Sequence, residues 1–189
     1  MILKLLINKA GGFWRIREKC MQSKIPFIRL FYKILYMFYV ESYNSYIPLR
    51  VKFLSRPSFP HGIAGIFVSS DSVIGKNCVI FHQVTIGSNR LPDSKGTGSP
   101  NIGDNCYIGA GAKIIGNVKI GDNVRIGANC MVFKDIPSNS VVVSQPPRII
   151  EKESLNNRFY MKRSGSWEYF EDNKWVVEQD KEIIESLEK

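Results

Sequence analysis

The 189-residue sequence predicts a mainly β fold, a three-sided coil of short parallel strands, on three observations. Aliphatic residues recur every six positions: Val68, Ile74, Ile80 and Ile86, then Ile102, Ile108, Ile114, Ile120, Ile126 and Val132. Glycine follows many of them, at Gly75, Gly87, Gly103, Gly109, Gly121 and Gly127. A second position, four residues after each aliphatic, is small or apolar: Ser72, Cys78 and Val84, then Cys106, Ala112, Val118, Val124, Cys130 and Ile136. Two inward positions per six residues fit neither the 3.6-residue period of a helix nor the strict alternation of a sheet strand.

In such a coil each hexad forms one short strand and one turn. Three hexads close a triangle, and triangles stack at the interstrand spacing of about 4.8 Å. The aliphatic fills the interior and the following glycine relieves the corner. The ten hexads make about three coils and part of a fourth. Between Ile86 and Ile102 stand sixteen residues where six would suffice, so ten are looped out. The inserted loop, 88–101, is rich in Gly, Pro, Ser and Asn and is expected to protrude. Long loops on a rigid solenoid tend to carry function, although an insertion can also be merely tolerated.

Three regions follow: a basic helical N-terminal region over 1–57, the coil over 58–150, and a C-terminal extension over 151–189. Gly11–Gly12 and Pro26 punctuate helices within 1–45. After Pro146–Pro147 the stretch Phe159–Val177 reads as short strands with turns at Ser164–Gly165 and Asp172–Asn173, followed by a short helix. Trp167, Tyr169 and Trp175 suggest an aromatic mini-core more readily than a sugar-stacking surface.

A 44% hydrophobic, 23% charged composition fits a globular protein and excludes a disordered chain. The longest apolar stretch, Ile25 to Val40, is broken by Arg29 and Lys33 and falls short of the roughly 20 residues of a membrane span. No signal-peptide pattern is read at the start, so a cytoplasmic protein is expected. The net charge of +9 is concentrated in residues 1–60, where eleven Lys/Arg face only Glu18 and Glu41. Solvated helices explain this, and peripheral contact with the inner face of a membrane is the sharper alternative. No zinc-finger spacing, RNP-type motif or basic region with heptads points to nucleic acid.

The segments HGIAGIFVSSDSVIGKNCVIFHQVTIG and NIGDNCYIGAGAKIIGNVKIGDNVRIGANCMVFKDIP resemble the serine acetyltransferase branch of the hexapeptide acyltransferases. That branch includes sugar and surface-polysaccharide O-acetyltransferases. The resemblance covers about residues 45–150. It implies a left-handed parallel β-helix, a homotrimer, and acetyl transfer from acetyl-CoA to a hydroxyl, with no metal.

Such a transfer needs a base for the hydroxyl proton, donors for the tetrahedral oxyanion, and a place for CoA. Neither a nucleophilic residue nor a covalent intermediate is required when both substrates bind together. Cys78, Cys106 and Cys130 therefore read as inward-facing reduced fillers. The base is a histidine, and there are only two. His61 lies one residue ahead of the position at which the family's His-x-x-Gly-Ile motif carries its histidine. His82 lies at a coil corner, in one column with Ala110 and Ala128, which the resemblance puts on the CoA side. His61 is the first candidate and His82 the second. The resemblance further implies that Ala110 and Ala128 offer backbone groups to the pantetheine arm, and that Lys134 and Arg148 lie near the CoA 3′-phosphate. The blander reading of both cations is a solvated side chain.

In the serine enzymes the loop ends in Gly-Asp-Arg-His-Pro and an aspartate precedes the catalytic histidine. Here the stretches read Gly96-Thr97-Gly98-Ser99-Pro100 and Phe59-Pro60-His61. An amino-acid acceptor needs charged partners for its ammonium and carboxylate once they leave water. Their loss points to a sugar hydroxyl of a bacterial surface polysaccharide (capsule, lipopolysaccharide or exopolysaccharide). Serine O-acetylation and a non-catalytic trimeric scaffold are the alternatives.

Overall fold

A computed structural model of the chain describes residues 11–94, 96–145, 151 and 156–188. The chain divides into two compact units, Met1–Gln145 and Pro146–Lys189.

The first unit opens with two helices, α1 (Gly12–Gln22) and α2 (Pro26–Ser42). Pro26 stands in the first turn of α2, where its missing N–H costs nothing because that position has no helical acceptor. Twelve short parallel strands follow, most of them two residues long: β1 (Lys52–Phe53), β2 (Phe67–Val68), β3 (Val73–Ile74), β4 (Val79–Ile80), β5 (Thr85–Gly87), β6 (Asn101–Ile102), β7 (Tyr107–Ile108), β8 (Lys113–Ile115), β9 (Lys119–Ile120), β10 (Arg125–Ile126), β11 (Met131–Val132) and β12 (Val141–Val142). They form three parallel sheets of order β1-β3-β6-β9, β12-β10-β7-β4 and β11-β8-β5-β2. The faces of the coil are these three sheets.

The predicted register is the observed one. Ile86 pairs with Ile114, Ile80 with Ile108 and Ile74 with Ile102, so the insertion shifts the count by ten and leaves the columns intact. All ten predicted aliphatics are buried, and so is the second inward register from Ser72 to Cys130, while Ile136 is half-buried. Parallel stacking begins earlier than position 58. Tyr46 bridges to Phe67, and β1 already pairs with β3 inside the stretch read as a helical N-terminal region. The sequence reading missed this because residues 46–58 carry no glycine after an aliphatic.

The corners explain why successive coils stack closely. Asn77, Asn105, Asn123 and Asn139 all adopt left-handed backbone, which Asn tolerates better than most residues. Their side-chain amides form a ladder, each Nδ2 donating to the next Oδ1 at 3.3, 3.2 and 3.0 Å. Beside it, the Asp104 carboxylate accepts from Lys76 N–H and the Asp122 carboxylate accepts from Asp104 N–H, both at 2.7 Å. The three inward cysteines donate to carbonyls of a neighbouring coil, Cys78 to Gly103 at 3.3 Å and Cys106 to Gly121 at 3.2 Å, with Cys130 to Val142 at 3.5 Å. The adjacent Cys106 thiol and burial both push the Cys78 thiol up, so it stays protonated. All four cysteines are free thiols, and the fourth, Cys20, is buried on α1.

The helices are tied to the first coil by buried polar contacts. Arg17 on α1 donates to the carbonyls of Leu49 and Val51 at 2.9 and 2.7 Å, and its guanidinium lies over the Phe53 ring. The Tyr36 hydroxyl on α2 donates to the Ile47 carbonyl at 2.6 Å. Trp14 and Phe59 stack with ring centroids 5.6 Å apart.

The second unit holds an antiparallel sheet of β13 (Tyr160–Arg163), β14 (Ser166–Glu171) and β15 (Lys174–Val177), then α3 (Lys181–Leu187). Its turns fall at the predicted Ser164–Gly165 and Asp172–Asn173. Tyr169 is buried, while Trp167 and Trp175 are half-buried beneath the side chains of Lys162 and Arg163. The aromatics are thus covered by the sheet's own cations.

A methyl group has no room at the Gly103 corner, because a Cβ there would lie 2.7 Å from the Gly121 carbonyl carbon of the next coil. Gly103→Ala is expected to cost about 1–3 kcal/mol, the scale of overpacking a close-packed interior. Thermal or urea unfolding measures it, and an unchanged midpoint would contradict tight corner stacking.

Candidate active site

His61 stands on a tight turn built by its neighbours. Gly62 N–H donates to the Phe59 carbonyl and Ile66 N–H to the Ile63 carbonyl, at 3.0 and 3.1 Å. Gly62 and Gly65 take positive φ, +68° and +64°, which a side chain would resist. The residues just after α2 hold this turn from outside: the Tyr43 carbonyl accepts from Gly65 N–H at 3.0 Å, and the Ser45 hydroxyl donates to the Ile63 carbonyl. Phe59, just before His61, rests on Trp14 and Phe13 of α1. The N-terminal helices therefore fix the backbone that carries His61.

His82 stands on the turn between β4 and β5. Its carbonyl accepts from Gly111 N–H at 3.0 Å, and one residue on, Gln83 N–H donates to the Ala64 carbonyl at 2.8 Å. Ala64, His82, Ala110 and Ala128 thus form one corner column, as the spacing predicts for the last three. His82 is the column's only large side chain, with alanines above and below it.

The structure brings the two histidines together. Their Nδ1 atoms lie 2.9 Å apart and their ring centroids 4.9 Å apart. The sequence offers them as alternatives, His61 by resemblance and His82 by its corner column; they are 21 residues apart, and one turn of coil removes that separation. A contact between two Nδ1 atoms requires one to carry a proton and the other a lone pair. The donor ring then keeps a free lone pair on Nε2, and the acceptor ring keeps its proton there. Phe81 meets the His61 ring edge-on at 5.3 Å and itself packs on Tyr107 at 5.1 Å, which restricts the imidazole. His61 is exposed and His82 half-buried.

Lys113 on β8 was not singled out from the sequence, where it is one of several outward lysines in the repeat. Its Nζ donates to the Gln83 carbonyl at 2.7 Å, placing a cation at the corner next to His82. The Gly111 N–H is committed to His82 and is not a free oxyanion donor.

At the other edge of the same face, loop 88–101 folds back on the coil. Asn89 and Gly98 form an antiparallel bridge, and Asn117 N–H donates to the Gly96 carbonyl at 2.8 Å. The loop and coil enclose a cavity of about 610 Å³ whose lining includes Asn89, Gly96, Asn117, Phe133, Lys134 and Asp135. Lys134 is exposed there, 6.0 Å from the Phe133 ring centroid, while the Asp135 carboxylate accepts from Lys119 N–H at 2.8 Å. Lys134 follows β11, at the opposite edge of the sheet from the histidine corner and two coils along from His82. Ala110 is half-buried and Ala128 exposed, with the Ala110 carbonyl accepting from Asn129 N–H at 2.8 Å. Arg148 lies outside the described residues.

Residues 99–134 match the sequence profile of a family described as bacterial transferase hexapeptide (six repeats). Over its coils the chain is similar to serine acetyltransferases. It is 46% identical over 96 residues to serine acetyltransferase 5 of Arabidopsis thaliana, covering 49% of this chain and 30% of that protein. To the serine acetyltransferase of Synechococcus elongatus it is 38% identical over 95 residues, 50% of this chain and 38% of the relative. The chain therefore spans less than half the length of these relatives. Among solved structures, serine acetyltransferase isoform 3 of Entamoeba histolytica in complex with cysteine superposes with a TM-score of 0.59 at 30% identity, over 74% of this chain and 49% of that one. Soybean serine acetyltransferase complexed with serine gives 0.56 at 30% identity, over 78% and 57%.

The shared proton is open to measurement. Long-range ¹H–¹⁵N correlation of the imidazoles is expected to show one ring protonated at Nδ1 and the other at Nε2. His82→Ala should return His61 to a mixture of tautomers. Two rings that both prefer Nε2–H in the unaltered protein would mean that the pair does not form in solution.

Proposed function

We propose that the chain is an acetyl-CoA-dependent O-acetyltransferase in which the His61–His82 pair handles the acceptor's proton. The observation that carries this reading is the 2.9 Å contact between the two imidazoles on a hexapeptide coil. His61, the more exposed ring, donates its Nδ1–H to His82 and presents its Nε2 lone pair to the acceptor hydroxyl. As the hydroxyl oxygen bonds to the thioester carbonyl carbon, its proton passes to Nε2. His82 then accepts from an imidazolium, a stronger hydrogen bond than the neutral one, so it stabilises the charge as it forms. When the carbon–sulfur bond breaks, the CoA thiolate takes the proton back and the pair returns to its starting state. His82 acts as a positioning residue through His61. Ala110 and Ala128 line the corner for the pantetheine arm. Lys134 carries the charge for a CoA phosphate, with Arg148 as a second cation assigned by resemblance alone. A left-handed winding and a homotrimer belong to the same reading.

For the acceptor, the relatives and structural neighbours support serine over the surface-polysaccharide sugar inferred from the loop. The sugar reading keeps one specific observation in its favour. The histidine turn reads Phe59-Pro60-His61 and the loop ends Gly96-Thr97-Gly98-Ser99-Pro100, with no charged side chain in either for an ammonium or carboxylate.

Thiol release from acetyl-CoA, followed with serine and with nucleotide sugars in turn, tests both the reaction and the acceptor. Release with serine alone selects the amino-acid reading. No release with any acceptor, together with no binding of acetyl-CoA, would favour a scaffold. His61→Ala is expected to lower turnover by about 10²–10⁴ with acetyl-CoA binding largely kept. His82→Ala should cost less, and His82→Asn should recover part of the loss, because its amide oxygen can accept the same proton. Near-normal turnover of His61→Ala would move the base elsewhere.

Lys134→Ala should raise the KM for acetyl-CoA about tenfold or more with little change in kcat, the scale of one charge-assisted hydrogen bond. An unchanged KM would remove Lys134 from the CoA site.

A further inference from the structure

Helix α2 is apolar on two opposite sides. One side packs inward: Leu35 and Tyr36 are buried, and Tyr32, Tyr39 and Val40 lie against the same core. The other carries Phe27, Phe31, Ile34 and Phe38, with Leu30 and Met37 beside them, all exposed, Phe27 at 82%. Their spacing of three and four residues makes a continuous stripe along the helix. A surface helix ordinarily turns polar residues to this side, and a contiguous apolar patch of large side chains marks a face that meets something.

Two kinds of occupant fit an apolar stripe, a second copy of the chain or a lipid bilayer, and charge separates them. Lys24 stands just before the helix and Lys33 borders the stripe beside Met37, while Arg29, seven residues before the buried Tyr36, lies in line with the inward side; the sole acid of α2 is Glu41 near its C-terminal end. A second copy docked on the same patch would bring the same cations against these. Anionic headgroups complement them. Phenylalanine and methionine on one side with lysine at the flank is the arrangement of a helix lying in the membrane interface. Among the described residues no helix is long and apolar enough to cross a membrane. Next to the stripe, Lys33, Met37, Val40 and Pro48 help to line an apolar cavity of about 230 Å³, so the apolar surface continues inward beside a cation.

We infer that α2 docks the protein on an anionic bilayer, with the Phe27–Phe38 stripe at the boundary of headgroups and acyl chains and Lys24 and Lys33 on lipid phosphates. This rests on the helix and its charges and is independent of the acetyl-transfer reading.

Co-sedimentation of the full chain with phosphatidylcholine vesicles containing or lacking phosphatidylglycerol tests it. Binding is expected to the anionic vesicles, at least tenfold weaker to the neutral ones, and weakened by salt. Phe27→Ser/Phe31→Ser should lower partitioning by about tenfold or more, the scale of withdrawing two apolar side chains from lipid. Lys24→Gln/Lys33→Gln should lower it by roughly thirtyfold, at about 1 kcal/mol per cation. Far-UV circular dichroism checks that each variant folds, and should the serine pair fail to fold, the charge pair gives the result alone. No binding to anionic vesicles, or equal binding to both kinds, overturns the inference. So does an oligomer in lipid-free solution, seen by sedimentation velocity, that the serine pair dissociates while wild-type protein ignores vesicles.

Discussion

Every strand of the coil is two or three residues long, so no strand holds itself in place. The backbone N–H and C=O groups of the strands find their partners on the coils above and below, and a buried backbone polar group without a partner costs about as much as a lost hydrogen bond. Coil-to-coil stacking is the constraint from which the rest follows. It demands equal coil length, hence the six-residue period. It demands a filled interior, hence the aliphatic columns. It demands corners that let backbones approach, hence glycine, left-handed asparagine and the Asp and Asn ladders.

The same constraint produces the candidate site. A column of corner residues lies in register by construction, so the histidine at 82 is set among alanines at positions 64, 110 and 128 without any specialised loop. His61 lies outside the regular coils and needs other support. That support comes from the Trp14–Phe59 stack, from Tyr43 and Ser45 after α2, and from the Arg17 and Tyr36 anchors that fasten both helices to the first coil. The helices thereby serve two ends on two faces: one face braces the histidine turn, and the other exposes the apolar stripe.

Much of this was legible in the residues. The columns from Val68 to Val132 and their register across the loop follow from counting, because one residue out of step would turn an isoleucine to solvent and an outward lysine or arginine to the core. The hairpin turns at 164–165 and 172–173 were equally plain, since Ser-Gly and Asp-Asn tolerate the positive φ that such turns need. The early start of stacking at Tyr46 was not. Residues 46–58 pair through their backbone while lacking the aliphatic–glycine signature. The role of Lys113 was equally hidden, because an outward lysine in a repeat looks the same whether it faces water or a neighbouring corner.

The sequence by itself determined the period, the inward columns and the demotion of the cysteines to core filler, because each depends on local spacing along the chain. It also supplied the two histidines, yet left them as rivals. Only the tertiary structure decided that they are partners. The contact between their Nδ1 atoms depends on where a turn braced by two helices sets His61 beside the next coil, and no spacing along the sequence encodes that direction.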